Sequence, residues 1–487
     1  MSFRIISVLL FLFVATSSFS KDYRASFFGI QSNGITLNTT SIQKAIDYIH
    51  ENGGGRLVFE VGRYLTGSVF LKSNVTLHLE EGAVLIGSLN PFDYYRHGHW
   101  TSLLFALEQN NIGITGKGVV DGRGYDVAQR YLEMIHKGII KDLLIKDRPK
   151  EGVRPHNIFF LKCNGITIKD ITLKNPGSWT QQYDRCTNLT IENTTVDSKN
   201  YWNNDGIDIV DCDSVIVRNN YIDASDDGIC LKSHSKTGIC QNILIENNTV
   251  RSSASGIKFG TYSWGGFQNI KIINNTVFDT YRSAITFAAV DGAFIQDIVV
   301  DSLKAYNTGN IIFLRIGERR EGRKGSMKNI QISNIYGEVA ATKADAGYPY
   351  EGPIEHQPRN ISPASIVGMP DVAIENVILK NIEIHYPGGG NSQYAKVSLD
   401  ELDKVPELGA EYPEFSMFKE LPAWGFYVRH AKGITFENLT MSCQKKDYRM
   451  PIVLDDAQNI LFKDLKIKGI VQKETAVFSK GSSFEIK

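Results

Sequence analysis

Gln241-Asn242-Ile243-Leu244-Ile245-Glu246-Asn247-Asn248-Thr249-Val250 returns 27 residues later as Gln268-Asn269-Ile270-Lys271-Ile272-Ile273-Asn274-Asn275-Thr276-Val277. Within each copy the apolar residues alternate with polar ones, which is the period of a β-strand, and paired asparagines close the segment. One apolar residue preceded by Asn, Asp, Ser or Gly marks every copy: Ile166, Leu189, Val215, Ile243, Ile270 and Ile298, at steps of 23, 26, 28, 27 and 28 residues. Ile330, Val377, Ile434 and Ile460 continue the series across longer insertions. Short strands joined by Asn-rich corners at this interval predict an all-β fold, a parallel β-helix in which each coil adds one rung about 4.8 Å from the last.

A solenoid is one elongated unit, so 487 residues need not mean several domains. Residues 21–487 are expected to form a single β-helix domain, with long loop insertions around 340–430. Gly347-Tyr348-Pro349-Tyr350 and the aromatic run Tyr412-Pro413-Glu414-Phe415-Ser416-Met417-Phe418 fall there. Those aromatics suit either stacking on sugar rings or a hydrophobic flap over the core. Ile42, Ala45, Ile46 and Ile49 recur at helical spacing before Gly53-Gly54-Gly55, which predicts one N-terminal capping helix, the only substantial helix. Residues 1–20 read as a signal peptide, with Arg4, the apolar run Ile5 to Val14 and Ser18-Phe19-Ser20 before Lys21, predicting a secreted or periplasmic protein. No apolar run is long enough to span a membrane.

Lys and Arg number 53, as do Asp and Glu, so no global charge favours nucleic acid or an anionic membrane. Cys163, Cys186, Cys212 and Cys240 each lie three residues before a register residue and should stack. One rung is near the lower limit for a disulfide, which favours buried thiols. Their spacing is not that of a metal site, and no metal or cofactor is expected.

Four strands superpose in the same register: Asp205-Gly206-Ile207-Asp208-Ile209, Asp227-Gly228-Ile229-Cys230-Leu231, Ser255-Gly256-Ile257-Lys258-Phe259 and Ser283-Ala284-Ile285-Thr286-Phe287. Their alternate apolar positions face the core, and Asp208, Cys230, Lys258 and Thr286 face out. Asp205, Asp226 and Asp227 would then meet at the strand mouths, on one solvent-facing groove. Carboxylates this close cannot all ionise cheaply, so at least one should be held protonated. A protonated acid beside a carboxylate that activates water is what inverting glycoside hydrolysis requires. Structural Asp-Gly turns or a Ca²⁺ site would also account for the density.

The sequence resembles the polygalacturonase family of glycoside hydrolases (family 28) over most of the chain after residue 20. The likeness includes Gln43-Lys44-Ala45-Ile46-Asp47, Tyr64-Leu65-Thr66-Gly67, Leu71-Lys72-Ser73-Asn74-Val75, Gly116-Lys117-Gly118-Val119-Val120-Asp121-Gly122 and Arg154-Pro155. Asn203-Asn204-Asp205 matches the family's Asn-Thr-Asp motif and Asp226-Asp227 its Asp-Asp motif. The resemblance implies a right-handed, pectin-lyase-like β-helix. It also implies inversion at the anomeric carbon, Asp226 as general acid, and Asp205 and Asp227 holding water. Two motifs depart. The family's Gly-His-Gly falls on Ala254-Ser255-Gly256, and its carboxylate-binding Arg-Ile-Lys on Ile285-Thr286-Phe287.

Lys258, Arg282 or Arg315 could supply a displaced carboxylate clamp, and His234 or His430 could replace the missing histidine; Asp208 is a further substrate-binding candidate. The expected function is exported hydrolysis of a plant or algal polysaccharide, first of all a pectic one, by a monomer. The long insertions suggest exo action. A β-helix lyase and a catalytically dead carbohydrate-binding β-helix are the alternatives.

Overall fold

In the computed structural model, which describes residues 21–141, 144–145, 147–320, 322–344, 362–389, 397–468 and 476–487, the residue before each register position has a positive φ. Gly165 is at 71°, Asn188 at 53°, Ser214 at 59°, Asn242 at 56°, Asn269 at 51° and Asp297 at 58°. Asn329, Asn376, Gly433 and Asn459 follow the same rule, between 54° and 69°. Left-handed backbone costs most L-residues about 1–2 kcal/mol, and Gly, Asn and Asp bear it best. The polar marker of the repeat is therefore the corner at which the chain turns into a rung. The expected signal peptide lies outside the described residues, as does Gly347-Tyr348-Pro349-Tyr350.

From these corners the strands pair in parallel. Ile166 pairs with Leu189, Leu189 with Val215, Val215 with Ile243, Ile243 with Ile270 and Ile270 with Ile298. Ile298, Ile330, Val377 and Ile434 extend the column across the insertions. A second sheet stacks Leu173, Val196, Ile222, Val250 and Val277. A third stacks Tyr183, Ile209, Leu231, Phe259 and Phe287. All three sheets enclose one apolar core, so the chain is a parallel β-helix. Every residue of the first column is at most 2% exposed. Burying each such side chain contributes about 1.5–3 kcal/mol before chain entropy is charged against it.

Asparagine side chains enter the interior as a ladder. Asn220 donates through Nδ2 to Asn248 Oδ1 at 2.9 Å and to the Ile191 carbonyl at 3.1 Å. Asn248 repeats this one coil on, to Asn275 Oδ1 and the Val217 carbonyl, both at 3.0 Å. Cys163, Cys186, Cys212 and Cys240 stack as buried free thiols, and the Cys186 N–H donates to Cys212 Sγ at 3.3 Å.

Helix α1 (Thr39–Glu51) buries Ile42, Ala45, Ile46 and Ile49 as expected. A second helix, α2 (Gly124–His136), corrects the expectation of a single one. It buries Val127, Ala128 and Tyr131 against Leu89 and Val153 outside the coil, and Met134 and Ile135 continue the same helical spacing in the sequence. The described part of the insertions, 397–422, lays Leu402, Val405, Phe415, Phe418 and Leu421 on Phe313, Val367, Tyr427 and Val453, on the outer face of the third sheet. Most of its apolar residues thus form the flap of the two readings, while Tyr412 stays 42% exposed.

Replacing Asn248 by Ala removes both an acceptor and a donor from the ladder and strands buried partners on either side. Urea titration should show a loss of about 2–4 kcal/mol; a loss below about 0.5 kcal/mol would mean the ladder is ornamental.

Candidate active site

The third sheet carries the acidic turns. Its strands here are β1 (Gln181–Asp184), β2 (Ile207–Val210), β3 (Ile229–Ser233), β4 (Ile257–Ser263), β5 (Thr276–Ala289) and β6 (Phe294–Ile316). Their outward column runs Gln182, Asp208, Cys230, Lys258, Thr286, Phe313, in the expected register. The turns before β2 and β3 stack because both carry glycine. A Cβ on Gly206 would lie 2.5 Å from the Gly228 carbonyl, and one on Gly228 would lie 2.4 Å from Val250 Cγ1. Gly206 N–H instead donates to the Asp227 carbonyl at 2.9 Å, which sets Asp205 beside Asp226 and Asp227.

Two lysines make the acidic cluster tolerable. Lys232 Nζ lies 3.0 Å from Asp205 Oδ2 and 2.5 Å from Asp208 Oδ1. Lys258 Nζ lies 2.7 Å from Asp227 Oδ2, and Asp227 Oδ1 also accepts the Ser255 N–H at 3.1 Å. The groove expected to face solvent is in fact a buried floor: Asp205, Asp208 and Asp227 are at most 4% exposed. Of the four carboxylates only Asp226 is partly open.

Burial and these pairings split the carboxyl groups. Burial, then Asp205 and Asp227, push Asp226 up to about 7. Asp227 is buried too, but Lys258, Lys232 and Arg282 outweigh burial and hold it below the usual carboxylate range. Burial pushes Asp205 well up against the pull of Lys232, helped by Asp208 and Asp227; Asp208 rises to about 7 mainly through burial. Adjacent residues 226 and 227 thus prefer opposite charge states near neutrality, an arrangement suited to paired acid and base chemistry.

The sequence profile of glycosyl hydrolases family 28 matches residues 67–343, more than half the chain. The chain belongs to glycosyl hydrolases family 28. It is 29% identical over 257 residues to an exo-poly-alpha-D-galacturonosidase of Dickeya chrysanthemi, covering 44% of this chain and 42% of that protein. It is 31% identical over 225 residues to a probable polygalacturonase of Vitis vinifera, covering 42% and 43%. These matches span less than half the length of either relative. The solved family 28 exopolygalacturonase of Yersinia enterocolitica shares the fold at TM-score 0.60 and 18% identity, over 96% of this chain and 78% of that one.

In this family 28 chain the two departing motifs lean on each other. Ser255, where the family carries histidine, gives its N–H to Asp227, and its hydroxyl accepts from Thr286 Oγ1 at 3.4 Å. Arg154 is wholly buried and donates from Nη2 to Asn203 Oδ1 at 2.7 Å, which fixes the turn ahead of Asp205. Asn204 Nδ2 holds the Ser178 carbonyl at 2.9 Å.

The remaining candidates divide. Lys258 and Arg282 sit at the acidic cluster, yet both are engaged: Lys258 Nζ also donates to Tyr412 OH at 2.7 Å, and Arg282 Nε lies 2.9 Å from Glu414 Oε2. Asp208 is locked on Lys232 and 0% exposed, so it offers nothing to a ligand. Arg315 and His430 are placed elsewhere. Arg315 Nη1 donates to the Gly368 carbonyl at 3.0 Å, and His430 lies 3.1 Å from Glu407 Oε1 and 2.7 Å from Asp456 Oδ2. His234 packs edge-on against Tyr262 at 4.8 Å, with Nδ1 3.8 Å from Asp184 Oδ2.

Sequence reasoning missed Lys232, Tyr412 and Glu414. Lys232 was within reach, since it follows Cys230 by two on β3 and so shares its outward side. Tyr412 and Glu414 lie in an insertion with no register to place them. Replacing Lys258 by Met should raise the Asp227 carboxyl pKa, because its largest favourable neighbour is gone. A carboxyl ¹³C NMR titration reads this directly, and an unmoved Asp227 resonance would refute the pairing.

Proposed function

We propose that the chain is an exported glycosidase that cleaves a pectic, galacturonate-containing polysaccharide with inversion at the anomeric carbon. The observation that carries this reading is the split between Asp226 and Asp227. Asp226, partly exposed and protonated up to about 7, is suited to donate to the leaving oxygen. Asp227, held ionised by Lys258, is suited to take the proton of the attacking water. Asp205 sits beside it on Lys232 and orients that water. The family membership and the galacturonan-degrading names of the relatives favour the same substrate class.

Residues 21–487 act as one monomeric domain, a right-handed coil, as crossovers between parallel strands almost always are. Helix α1 caps its N-terminal end, shielding the first rungs as terminal elements of a solenoid must. The segment 397–422 covers the outer face of the third sheet beyond Lys258, which closes one end of the cleft and favours release of single sugars from a chain end.

Asp226→Asn should lower turnover of galacturonan by about 10²–10⁴-fold with the fold intact by circular dichroism; retained turnover would remove Asp226 from the acid role. The sign of the pH dependence follows from the raised pKa of the acid. Asp226 must keep its proton, so kcat/KM should fall as pH rises through about 7. A profile still rising beyond pH 8 would contradict this assignment of the acid. Proton NMR of the first-formed product distinguishes inversion from retention, and monomers from mixed oligomers. An ultraviolet-absorbing unsaturated product would instead mean a lyase.

A further inference from the structure

The cations of the acidic cluster are engaged within the protein. Lys232 serves Asp205 and Asp208, Lys258 serves Asp227 and Tyr412, and Arg282 faces Glu414. Further along the same face, just beyond β6, stand two guanidiniums with one carboxylate between them. Arg319 Nε is 3.7 Å and Arg320 Nε 3.5 Å from Asp291 Oδ1. Asp291 is 1% exposed, and its other oxygen accepts the Ser263 N–H at 2.9 Å and the Ser263 hydroxyl at 3.1 Å. One carboxylate balances one guanidinium, so this trio keeps a positive charge in excess.

Aromatic rings frame the pair. Arg319 lies 5.5 Å from the ring centroid of Tyr412, the residue whose hydroxyl meets Lys258. Arg320 lies 5.2 Å from the Tyr262 ring and 5.4 Å from that of Trp264. Tyr262 is 39% and Tyr412 42% exposed, and the Arg320 side chain is 40% exposed. Arg319 Nη1 and the Trp264 indole N–H, at the base of this wall, have no hydrogen-bond partner among the described residues. A continuous line of contacts therefore runs from Asp227 through Lys258 and Tyr412 to Arg319, and ends on a cationic, aromatic ledge.

We propose that Arg319 and Arg320, flanked by Tyr262, Trp264 and Tyr412, form a subsite for the carboxylate of a uronate residue in the same glycan that reaches Asp226. This deepens the hydrolase reading and rests on it. A guanidinium presents two parallel N–H donors that match a carboxylate, and stacking on aromatic rings holds the fork in place. The exposed tyrosine rings give the sugar an apolar face to lie on. The ledge thus supplies acidic-sugar recognition that the departing Ile285-Thr286-Phe287 does not.

The test is binding of trigalacturonate, by calorimetry, to full-length Asp226→Asn and to the same chain also carrying Arg320→Gln. Arg320→Gln leaves Arg319 beside Asp291 and so does not strand that charge. Affinity should fall by ~10-fold, and the carboxyl-reduced trisaccharide should bind both chains equally. Arg319→Lys, which keeps the charge and loses the fork, should weaken trigalacturonate binding as well. An equal loss for both sugars, no loss in either variant, or no binding of trigalacturonate would overturn the subsite. The two readings fail separately. Trigalacturonate bound but never cleaved by the unaltered chain sinks the hydrolase, while cleavage with an unchanged KM in Arg320→Gln sinks only the ledge.

Discussion

Rungs about 4.8 Å apart put equivalent side chains of successive coils in direct contact, so each column must be compatible with itself. Most columns meet this by uniformity. Isoleucine, leucine and valine stack on their own kind, asparagine bonds to asparagine, and thiol lies on thiol. Outward columns are mixed, and that of the third sheet runs Gln182, Asp208, Cys230, Lys258, Thr286 and Phe313. Polarity and charge change there at nearly every step. A solenoid can carry such a column only where each charge finds an opposite one within reach, and Lys232 and Lys258 meet that condition.

The same constraint explains what the sequence disclosed. Register was legible because two independent signals coincide on it: strand alternation, and a Gly, Asn, Asp or Ser at the one φ that other residues resist. Once Ile207, Ile229, Ile257 and Ile285 are aligned, the meeting of Asp205, Asp226 and Asp227 follows from geometry alone. Depth did not follow. Period-2 alternation says that Asp208 and Lys258 point away from the core, but not that other segments cover them; both are at most 1% exposed. Arg315 and His430 look equally available in sequence, yet each is spent on the loop around Glu407. The partners Tyr412 and Glu414 depend on a segment outside the repeat, where strand register carries no information; helix α2 has its own helical spacing, but the repeat does not place it.

The departures from the family pattern now look coupled rather than scattered. With Ser255 in place of histidine, Asp227 receives a backbone N–H and the Lys258 ammonium. With Thr286 facing out one rung later, the column itself sets no second cation over Lys258, and the threonine hydroxyl turns to Ser255. A basic residue at 286 would stand directly over Lys258 in the column and would need an anion of its own. Lys258 on Asp227 and an uncharged residue at 286 are thus compatible within one column.

The insertion completes the surroundings of these charges. Tyr412 and Glu414 reach Lys258 and Arg282 only because the segment carrying them is fastened farther up the coil. Arg429 joins Glu407 at 2.7 Å and Asp455 at 3.1 Å, and His430 bridges Glu407 and Asp456. Arg315 grips the Glu407 carbonyl from two rungs away, and Phe415 and Phe418 seal the interval by burial. Burial works against the charged form of His430, but Glu407 and Asp456 outweigh it and raise its pKa. Its contribution is therefore complete below the ordinary histidine pKa and fades as pH rises through the raised one. The residues that seemed to be spare substrate ligands hold instead the segment whose tip finishes the electrostatics of Asp227, so their influence on the carboxylates is exerted through the position of Tyr412.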